Sequence, residues 1–370
     1  MEGRVIGVGK VWIGSTISIL LLALFFVTVD VSRMVDALAD ANYLFLIPGI
    51  AMYLVSVLFR TIRWQVLLRH MRPVSVWRLY PVVVVGYMAN NLLPMRLGEL
   101  VRSYYVGERE GISKTSALAT ILVERVLDAL TLLFFIAGIA LFVPLAGLAE
   151  SFGDRFGVPW PLLVALFTAP FLMTIGALIA FAFYPAVVWW AAGPLGVLPE
   201  RVEDRVRRLI EMFLEGLVPL KSPRTLALLF LLSVPIWLFE SGLFFFVGFA
   251  FRLDQVYDNL GDLAVVAVVV TSVANIGSSV PAAPGGIGLF ELVARETLVL
   301  LPLAEVARSV AGGYAAVVHA SLLLPMIVLG QLFLWTSHIS LRSLSRGGRE
   351  ARAQASFAAT RLSMEKDDSR

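Results

Sequence analysis

Arg96, Glu99 and Arg102 stand at three-residue intervals immediately after a proline, and Glu124, Arg125 and Asp128 interrupt a long apolar run. At helical spacing the first three share one broad face. Glu124 and Asp128 share another, with Arg125 placed to pair with Asp128. The planar fork of arginine suits bidentate recognition of phosphate. The carboxylates suit a cationic head group or those same arginines. Ionisable residues inside an apolar span are costly, so each marks a site by default. The plainer alternatives are an ordinary Glu–Arg pair on a cytoplasmic helix for the first group, and an ion pair that locks helix packing for the second.

Glu240 lies near the middle of another apolar run with no local partner. It is neutral by protonation, or it meets a distant arginine such as Arg125 or Arg96. His319 is central in the last apolar run, where a packed, hydrogen-bonding role is a simpler reading than a proton relay. Asn90, Asn91 and Asn275 flank breaks in the apolar pattern. They are suited to satisfying freed backbone groups or to touching a ligand.

These residues surround two interrupted hydrophobic segments. The first reads Asn90-Asn-Leu-Leu-Pro94-Met-Arg96-Leu-Gly98-Glu99 and the second Pro281-Ala-Ala-Pro284-Gly285-Gly286-Ile-Gly288-Leu-Phe-Glu291. Each has a proline and, four residues later, a glycine. In a bilayer, unwound backbone is tolerated only where protein or a water-filled cavity covers it. Paired breaks in two halves of one chain point to a transporter's binding site. The glycine-rich second break reads either as an anion-holding set of amides or as a tight re-entrant turn. No strand precedes it and no Gly-Lys-Ser/Thr follows, so it is not a nucleotide loop.

The composition requires a membrane. Of 370 residues, 59% are hydrophobic and 15% charged, too little polar surface to cover a soluble domain. Cysteine is absent, which excludes disulfides, thiolate metal sites and cysteine nucleophiles. His70, His319 and His338 are too scattered for a zinc site, and neither a metal nor a cofactor is expected.

A helix needs about 20 apolar residues to cross the hydrocarbon core. Full spans are read near 11–29, 43–59, 117–143, 160–184, 226–250 and 309–335. The first follows Arg4 and Lys10 and is longer than a signal-peptide core of about 7–15 residues, so it reads as an uncleaved anchor. Stretches 80–93 and 263–280 lead into the breaks. The first of these, as a helix, reaches roughly 21 Å against a core of about 30 Å.

Loop charge sets the orientation. Segment 60–79 carries Arg60, Arg63, Arg69, Arg72 and Arg78 with no acid and should be cytoplasmic. Segments 30–42 and 251–262 are acidic and favour the outside. The basic tail favours the inside. These signals agree if each break is a re-entrant hairpin. The expected fold is then an all-α polytopic membrane protein with six full transmembrane helices plus two re-entrant helical hairpins. It forms an inverted repeat, with units at about 43–143 and 226–335 and both termini cytoplasmic. Pro94 matches Pro284 and Gly98 matches Gly288 at an offset of 190. Segment 200–216 alternates apolar and charged residues at helical spacing and reads as an amphipathic interfacial helix. Residues 1–340 form one membrane domain, and 341–370 read as a disordered cytoplasmic tail.

Three motifs carry a family resemblance: Asn91-Leu-Leu-Pro94-Met-Arg96-Leu-Gly98-Glu99-Leu-Val-Arg102, Val123-Glu124-Arg125-Val-Leu-Asp128 and Pro281-Ala-Ala-Pro284-Gly285-Gly286-Ile-Gly288-Leu-Phe-Glu291. Their order and spacing resemble the flippase-like membrane family found in the transmembrane part of lysylphosphatidylglycerol synthases. The resemblance implies movement of lipids or lipid-linked head groups between leaflets. Its members are associated with aminoacyl-phosphatidylglycerol, hopanoid pathways and polyprenyl-phosphate sugars. Bifunctional members add a soluble aminoacyl-transfer domain that this sequence does not contain, so synthase activity is not expected.

The leading expectation is therefore a lipid flippase of the cell membrane. Arg96, Arg102 and Arg125 would hold phosphate. Glu99, Glu124 and Asp128 would hold a cationic group or pair with those arginines, with Asn91 and Glu240 alongside. Pro94, Gly98, Pro281, Pro284, Gly285, Gly286 and Gly288 would supply the re-entrant turns and hinges. Expected partners are membrane lipids, anionic or polyprenyl-phosphate-linked. The sequence is compatible with a homodimer, and nothing in it suggests nucleic acid. The alternatives are a membrane-embedded lipid-phosphate transferase or hydrolase, with Glu124 and Asp128 as its acid and base, and a small-solute or ion carrier. No nucleophile with an adjacent base supports the first alternative.

Overall fold

The computed structural model describes residues 30–93, 97–143, 150, 157, 159–191, 200–278 and 284–336. Within them every regular element is helical and no strand occurs. The anchor expected at 11–29, the tail at 341–370, and Pro94, Arg96 and Pro281 lie outside the described residues.

A short helix, α1 (Val31–Ala39), is capped by the Asp30 carboxylate, which accepts the Arg33 amide at 3.1 Å. One 3-10 turn (Tyr43–Phe45) leads into α2 (Leu46–Leu68). Helices α3 (Val76–Leu92) and α4 (Gly98–Glu110) flank the first break, and α5 (Lys114–Ile139) follows. Then come α6 (Trp160–Phe183), α7 (Pro185–Ala191), α8 (Glu200–Gly216) and α9 (Pro223–Ala250). Helices α10 (Leu260–Gly277) and α11 (Leu289–Leu300) flank the second break, and α12 (Arg308–Thr336) closes the described chain.

Among the described residues, four helical stretches are long and apolar enough to cross a membrane: Tyr43–Leu68, α9, α10 and α12. Helix α5 has 26 residues, and its apolar course is broken by Glu124, Arg125 and Asp128. Several boundaries depart from the sequence reading: the stretch expected from 80 starts at Val76, so Arg78 lies in a helix, and α10, expected as a re-entrant arm, is long enough to cross. The span expected to end near 59 continues to Leu68, so Arg60 and Arg63 belong to a helix and not to a cytoplasmic loop. The arginines did not terminate the helix because each finds carboxylates on neighbouring helices.

The first hairpin closes on itself. A β-carbon at Gly98 would collide with the Gly86 carbonyl and the Asn90 backbone, so only glycine lets α4 start this close to α3. At the other end Arg78 Nε lies 3.2 Å from the Glu110 carboxylate, and Arg72 donates to the Glu110 carbonyl. The end of α4 therefore returns to the start of α3. The second hairpin packs α10 against α11, with Gly277 against Val293 near its tip.

Helices α2 and α9 form the central pair and run antiparallel. The Asn42 amide donates to the Ala250 carbonyl at 3.0 Å, Phe45 stacks on Phe249, Phe59 stacks on Phe239, and Arg63 reaches Ser233. Gly49 and Gly242 face bulky partners on the opposite helix, Leu243 and Met52. Small residues at such crossings bring backbones close, which matters where lipid removes the hydrophobic drive for helices to associate. Helix α5 runs antiparallel to α2, with Trp64 Nε1 donating to Thr120 at 3.0 Å. Packing between the halves is reciprocal: α3 lies against α12, and α10 lies against α5. The hairpin tips also meet, since a β-carbon on Gly285 would rest against the Asn91 carbonyl.

The amphipathic segment forms α8 over the residues its periodicity indicates. It packs on α5, where Ser116 Oγ donates to Glu215 at 2.8 Å.

Candidate functional site

Four arginines and four carboxylates meet where α2, α4, α5 and α9 converge. Arg60 of α2 lies 2.6 Å from Glu240 of α9 and 3.5 Å from Asp128 of α5. Arg63, one turn on, lies 2.9 Å from the other oxygen of Asp128 and 3.7 Å from Glu124, and donates to Ser233 at 2.7 Å. Arg102 of α4 lies 2.9 Å from Glu124. Arg125 lies 3.2 Å from Asp128 and 3.9 Å from Glu99. The charges balance, as a low-dielectric interior requires.

Aromatic rings complete the cage. The Arg102 guanidinium sits 3.7 Å from the Trp64 ring centroid, and that of Arg60 sits 4.4 Å from Trp237. A desolvated cation over an indole face gains about 2 kcal/mol or more. The rings thus cover charge that the carboxylates leave facing apolar surroundings. Asn275 of α10 donates to Glu240 at 3.2 Å and to the Thr271 carbonyl, which brings the second hairpin into the network.

The network opens at one end. A small, shallow cleft between α3, α4 and α5 is lined by Tyr87, Asn90, Glu99, Arg102 and Arg125 among others. Arg63, Glu124 and Asp128 are sealed, whereas the side chains of Arg125 and Glu99 are each 26% exposed. Their 3.9 Å separation is the longest ionic contact in the network. Tyr87 adds a hydroxyl 3.4 Å from Arg125. The mouth therefore presents one loosely held anion, Glu99, and one partly exposed cation, Arg125, anchored by Asp128 and backed by buried charges that each have an opposite charge beside them. Such a mouth can exchange an internal partner for a phosphate or an ammonium without exposing an uncompensated charge in the core.

The structure brings together six of the sequence-derived site residues: Glu99, Arg102, Glu124, Arg125, Asp128 and Glu240. Asn91 stands at the junction of the hairpin tips, and its neighbour Asn90 lines the cleft. Glu240 has a distant arginine partner, as one reading of the sequence held. The partner is Arg60, not Arg125, and Arg96 lies outside the described residues.

Arg60 and Arg63 were missed as site residues. Counted as loop charge, they strengthened a topology argument instead. The available signal was their i, i+3 spacing beside Trp64 in an unbroken helical pattern.

The second break builds a different site. Gly285, Gly286 and Gly288 have φ of 65°, 75° and 90°, conformations open to glycine at little cost. The Gly288 amide donates to Glu291 at 2.7 Å, so a carboxylate of the chain itself occupies one of the freed amides. His319 contacts Glu291 at 2.7 Å and the Gly285 carbonyl at 2.9 Å, and stacks on Phe290. It has the packed, hydrogen-bonding role that the sequence favoured. Among the described residues no group of His, Asp or Glu has the arrangement to hold a metal ion.

Residues 11–330 match the family described as the lysylphosphatidylglycerol synthase TM region. The chain belongs to that family. A glycosyltransferase, AglD of Haloferax volcanii, is 26% identical over 362 residues, covering 92% of this chain and 56% of that protein. The chain thus spans little more than half the length of that relative. A UPF0104 membrane protein of Methanothermobacter thermautotrophicus is 26% identical over 293 residues, or 74% of this chain and 80% of that protein. A UPF0104 membrane protein of Pyrococcus horikoshii is 25% identical over 274 residues, or 71% and 79% respectively. The chain is accordingly a multi-pass membrane protein of the synthase-TM type.

Proposed function

We propose that this protein is a lipid flippase that moves an anionic, aminoacylated or polyprenyl-phosphate-linked head group between leaflets of the cell membrane. The observation that carries the proposal is the partly exposed Arg125 and Glu99 at the mouth of a cleft, continuous with a buried charge network that reaches Glu240 in the other half of the molecule. A phosphate would bind Arg125 in place of Glu99, with Arg102 behind it. Arg96, in the same segment, would be a further phosphate ligand. An amine on the head group would bind the released Glu99. Acyl or prenyl chains would stay in the bilayer.

Two packing features support alternating access. The central pair α2 and α9 is antiparallel, and each hairpin lies against the last helix of the other half. We read this as an inverted repeat of six spans and two re-entrant hairpins, with both termini cytoplasmic. One half rocking against the other would open the cleft to each leaflet in turn. Helix α8 would lie in the cytoplasmic interface.

The relative named a glycosyltransferase motivates a second reading, transfer onto a lipid phosphate. The site argues against it. Glu124 and Asp128 are both engaged by arginines of neighbouring helices, so neither carboxylate is free to meet a reacting group.

The test is reconstitution. Vesicles containing the protein and a fluorescent phospholipid or polyprenyl phosphate should lose the protection of their inner-leaflet probe from a membrane-impermeant quencher faster than empty vesicles. Arg96→Ala and Arg125→Ala should each abolish the difference. Lipid movement no faster than in empty vesicles, across these lipids, would overturn the proposal. Formation of a glycosylated lipid by the purified protein would favour the second reading.

A further inference from the structure

The contacts of His319 carry a consequence for protons. Nδ1 lies 2.7 Å from Glu291 Oε1 and Nε2 lies 2.9 Å from the Gly285 carbonyl oxygen. A carbonyl only accepts, so the contact at Nε2 needs an N–H. The remaining contact pairs Nδ1 with a carboxylate oxygen. A neutral imidazole and an ionised carboxylate would then face each other lone pair to lone pair. In the other tautomer the clash simply moves to Gly285. Both contacts are satisfied only when the pair holds one additional proton, on Nδ1 or on Oε1. The other oxygen of Glu291 already accepts the Gly288 amide, which directs that proton toward the histidine.

We propose that the His319–Glu291 pair is a proton-binding site that couples lipid movement to a proton gradient. The inference rests on the flippase reading for its lipid component. Binding one proton completes the bridge from α12 to the tip of the second hairpin. Losing it leaves two acceptors opposed, and the tip separates from α12. That tip also touches the first hairpin, through Gly285 against Asn91, and Asn90 next to it lines the cleft. Proton loss therefore loosens the wall between the two hairpins. The proton taken up on one side of the membrane is released on the other when the halves rock.

Charges on the packed elements do not substitute for this pair. Glu291 of α11 and the Gly285 carbonyl face His319 directly. Elsewhere on α11, Arg295 and Glu296 pair with each other, and Glu296 also with Arg308 of α12. Of the other elements against α12, α3 offers Arg78, held by Glu110, and α2 offers Arg60 and Arg63, held by Asp128 and its neighbours. Helix α9 offers Glu240, held by Arg60, and α1 offers Arg33, held by Asp30. Asp36 and Arg224 lie within α1 and in the first turn of α9, whereas His319 is central in α12.

The protein has no cysteine, so an Ile287→Cys variant carries a single nitroxide label at the hairpin tip. Its spectrum, recorded as a function of pH, should pass from an immobile to a mobile form as pH rises. The transition should be lost with His319→Gln or Glu291→Gln. An unchanged spectrum in the otherwise native chain, or the same transition in either variant, overturns the site without reference to lipid. In vesicles, an imposed pH gradient should accelerate lipid movement, and an internal pH dye should report proton flux that needs the lipid. His319→Gln should lose both responses. Lipid movement that ignores the gradient, with no proton flux, would overturn the coupling and leave the flippase reading intact.

Discussion

Arg60 stands 2.6 Å from Glu240 and is the charge-bearing tie between α2 of the first half and α9 of the second. Both side chains are buried, and the same guanidinium reaches Asp128. Removing either partner strands the other in a low-dielectric interior, which costs about 3–5 kcal/mol. Arg60→Ala and Glu240→Ala should each lower the midpoint of thermal unfolding in detergent by a similar, large amount. Joint replacement by Met and Leu should recover most of the loss, because two apolar groups need no partner. If the double variant is as unstable as the sum of the singles, the two residues do not interact as described.

Arg125 and Glu99 are partly exposed, so their replacement should separate function from stability better than replacement of the buried charges. Breaking an exposed pair costs about 0–1 kcal/mol. Arg125→Ala also takes one of three arginines from the buried Asp128, which keeps Arg60 and Arg63, so it should lower the unfolding midpoint less than Arg60→Ala does while removing lipid movement in vesicles. Arg125→Lys should restore part of it for phosphate lipids, since a lysine keeps the charge and loses the fork. Glu99→Gln should reduce movement of amine-bearing head groups more than of simple polyprenyl phosphate. Equal losses for both lipids would remove Glu99 from head-group recognition.

The hairpins and the clustering of Glu99, Arg102, Glu124, Arg125 and Asp128 were legible because proline, glycine and charge are rare inside apolar runs. Each exception therefore stood out. Arg60 and Arg63 were not legible, for an energetic reason. Loop-charge counting treats an arginine as solvated, and these two are stabilised instead by carboxylates 60 or more positions away in the chain. Local pattern cannot supply such partners. The link between His319 and Glu291 was hidden in the same way, since 28 residues separate them.

Tyr257 gives a prediction about alkaline stability. It lies in the connection between α9 and α10, its hydroxyl has no hydrogen-bond partner among the described residues, and burial pushes its phenol up to about 12. The ordinary value, expected in the unfolded chain, is about 10. A raised folded value stabilises fully below the unfolded value, and that contribution is lost as pH rises from about 10 through about 12. Tyr257→Phe removes the titration and an unsatisfied hydroxyl together. Its unfolding midpoint should match or exceed the native one at neutral pH and fall less steeply with pH above about 10. A parallel fall in both proteins would mean that Tyr257 is not buried in the folded state.

Gly98 and Gly285 should fail differently when replaced by alanine, because they are glycines for different reasons. At Gly98 the added methyl meets backbone, the Gly86 carbonyl and the Asn90 amide, which cannot rotate away. The arms of the first hairpin must separate, and overpacking of this kind costs about 1–3 kcal/mol. That separation also moves Arg102 away from Glu124, so Gly98→Ala should lose both stability and lipid movement. At Gly285 the added atom meets the Leu323 side chain slightly too closely, at 3.3 Å, but that side chain can turn aside, and it meets the Asn91 carbonyl at 3.4 Å, while the positive φ of 65° disfavours any side chain. The cost falls on the turn alone, about 1 kcal/mol. Gly285→Ala should therefore unfold near the native midpoint while altering the pH response of a label at the second hairpin tip. If Gly285→Ala proves the more destabilising of the two, the first hairpin is not as tightly closed as the approach of Gly98 to Gly86 requires.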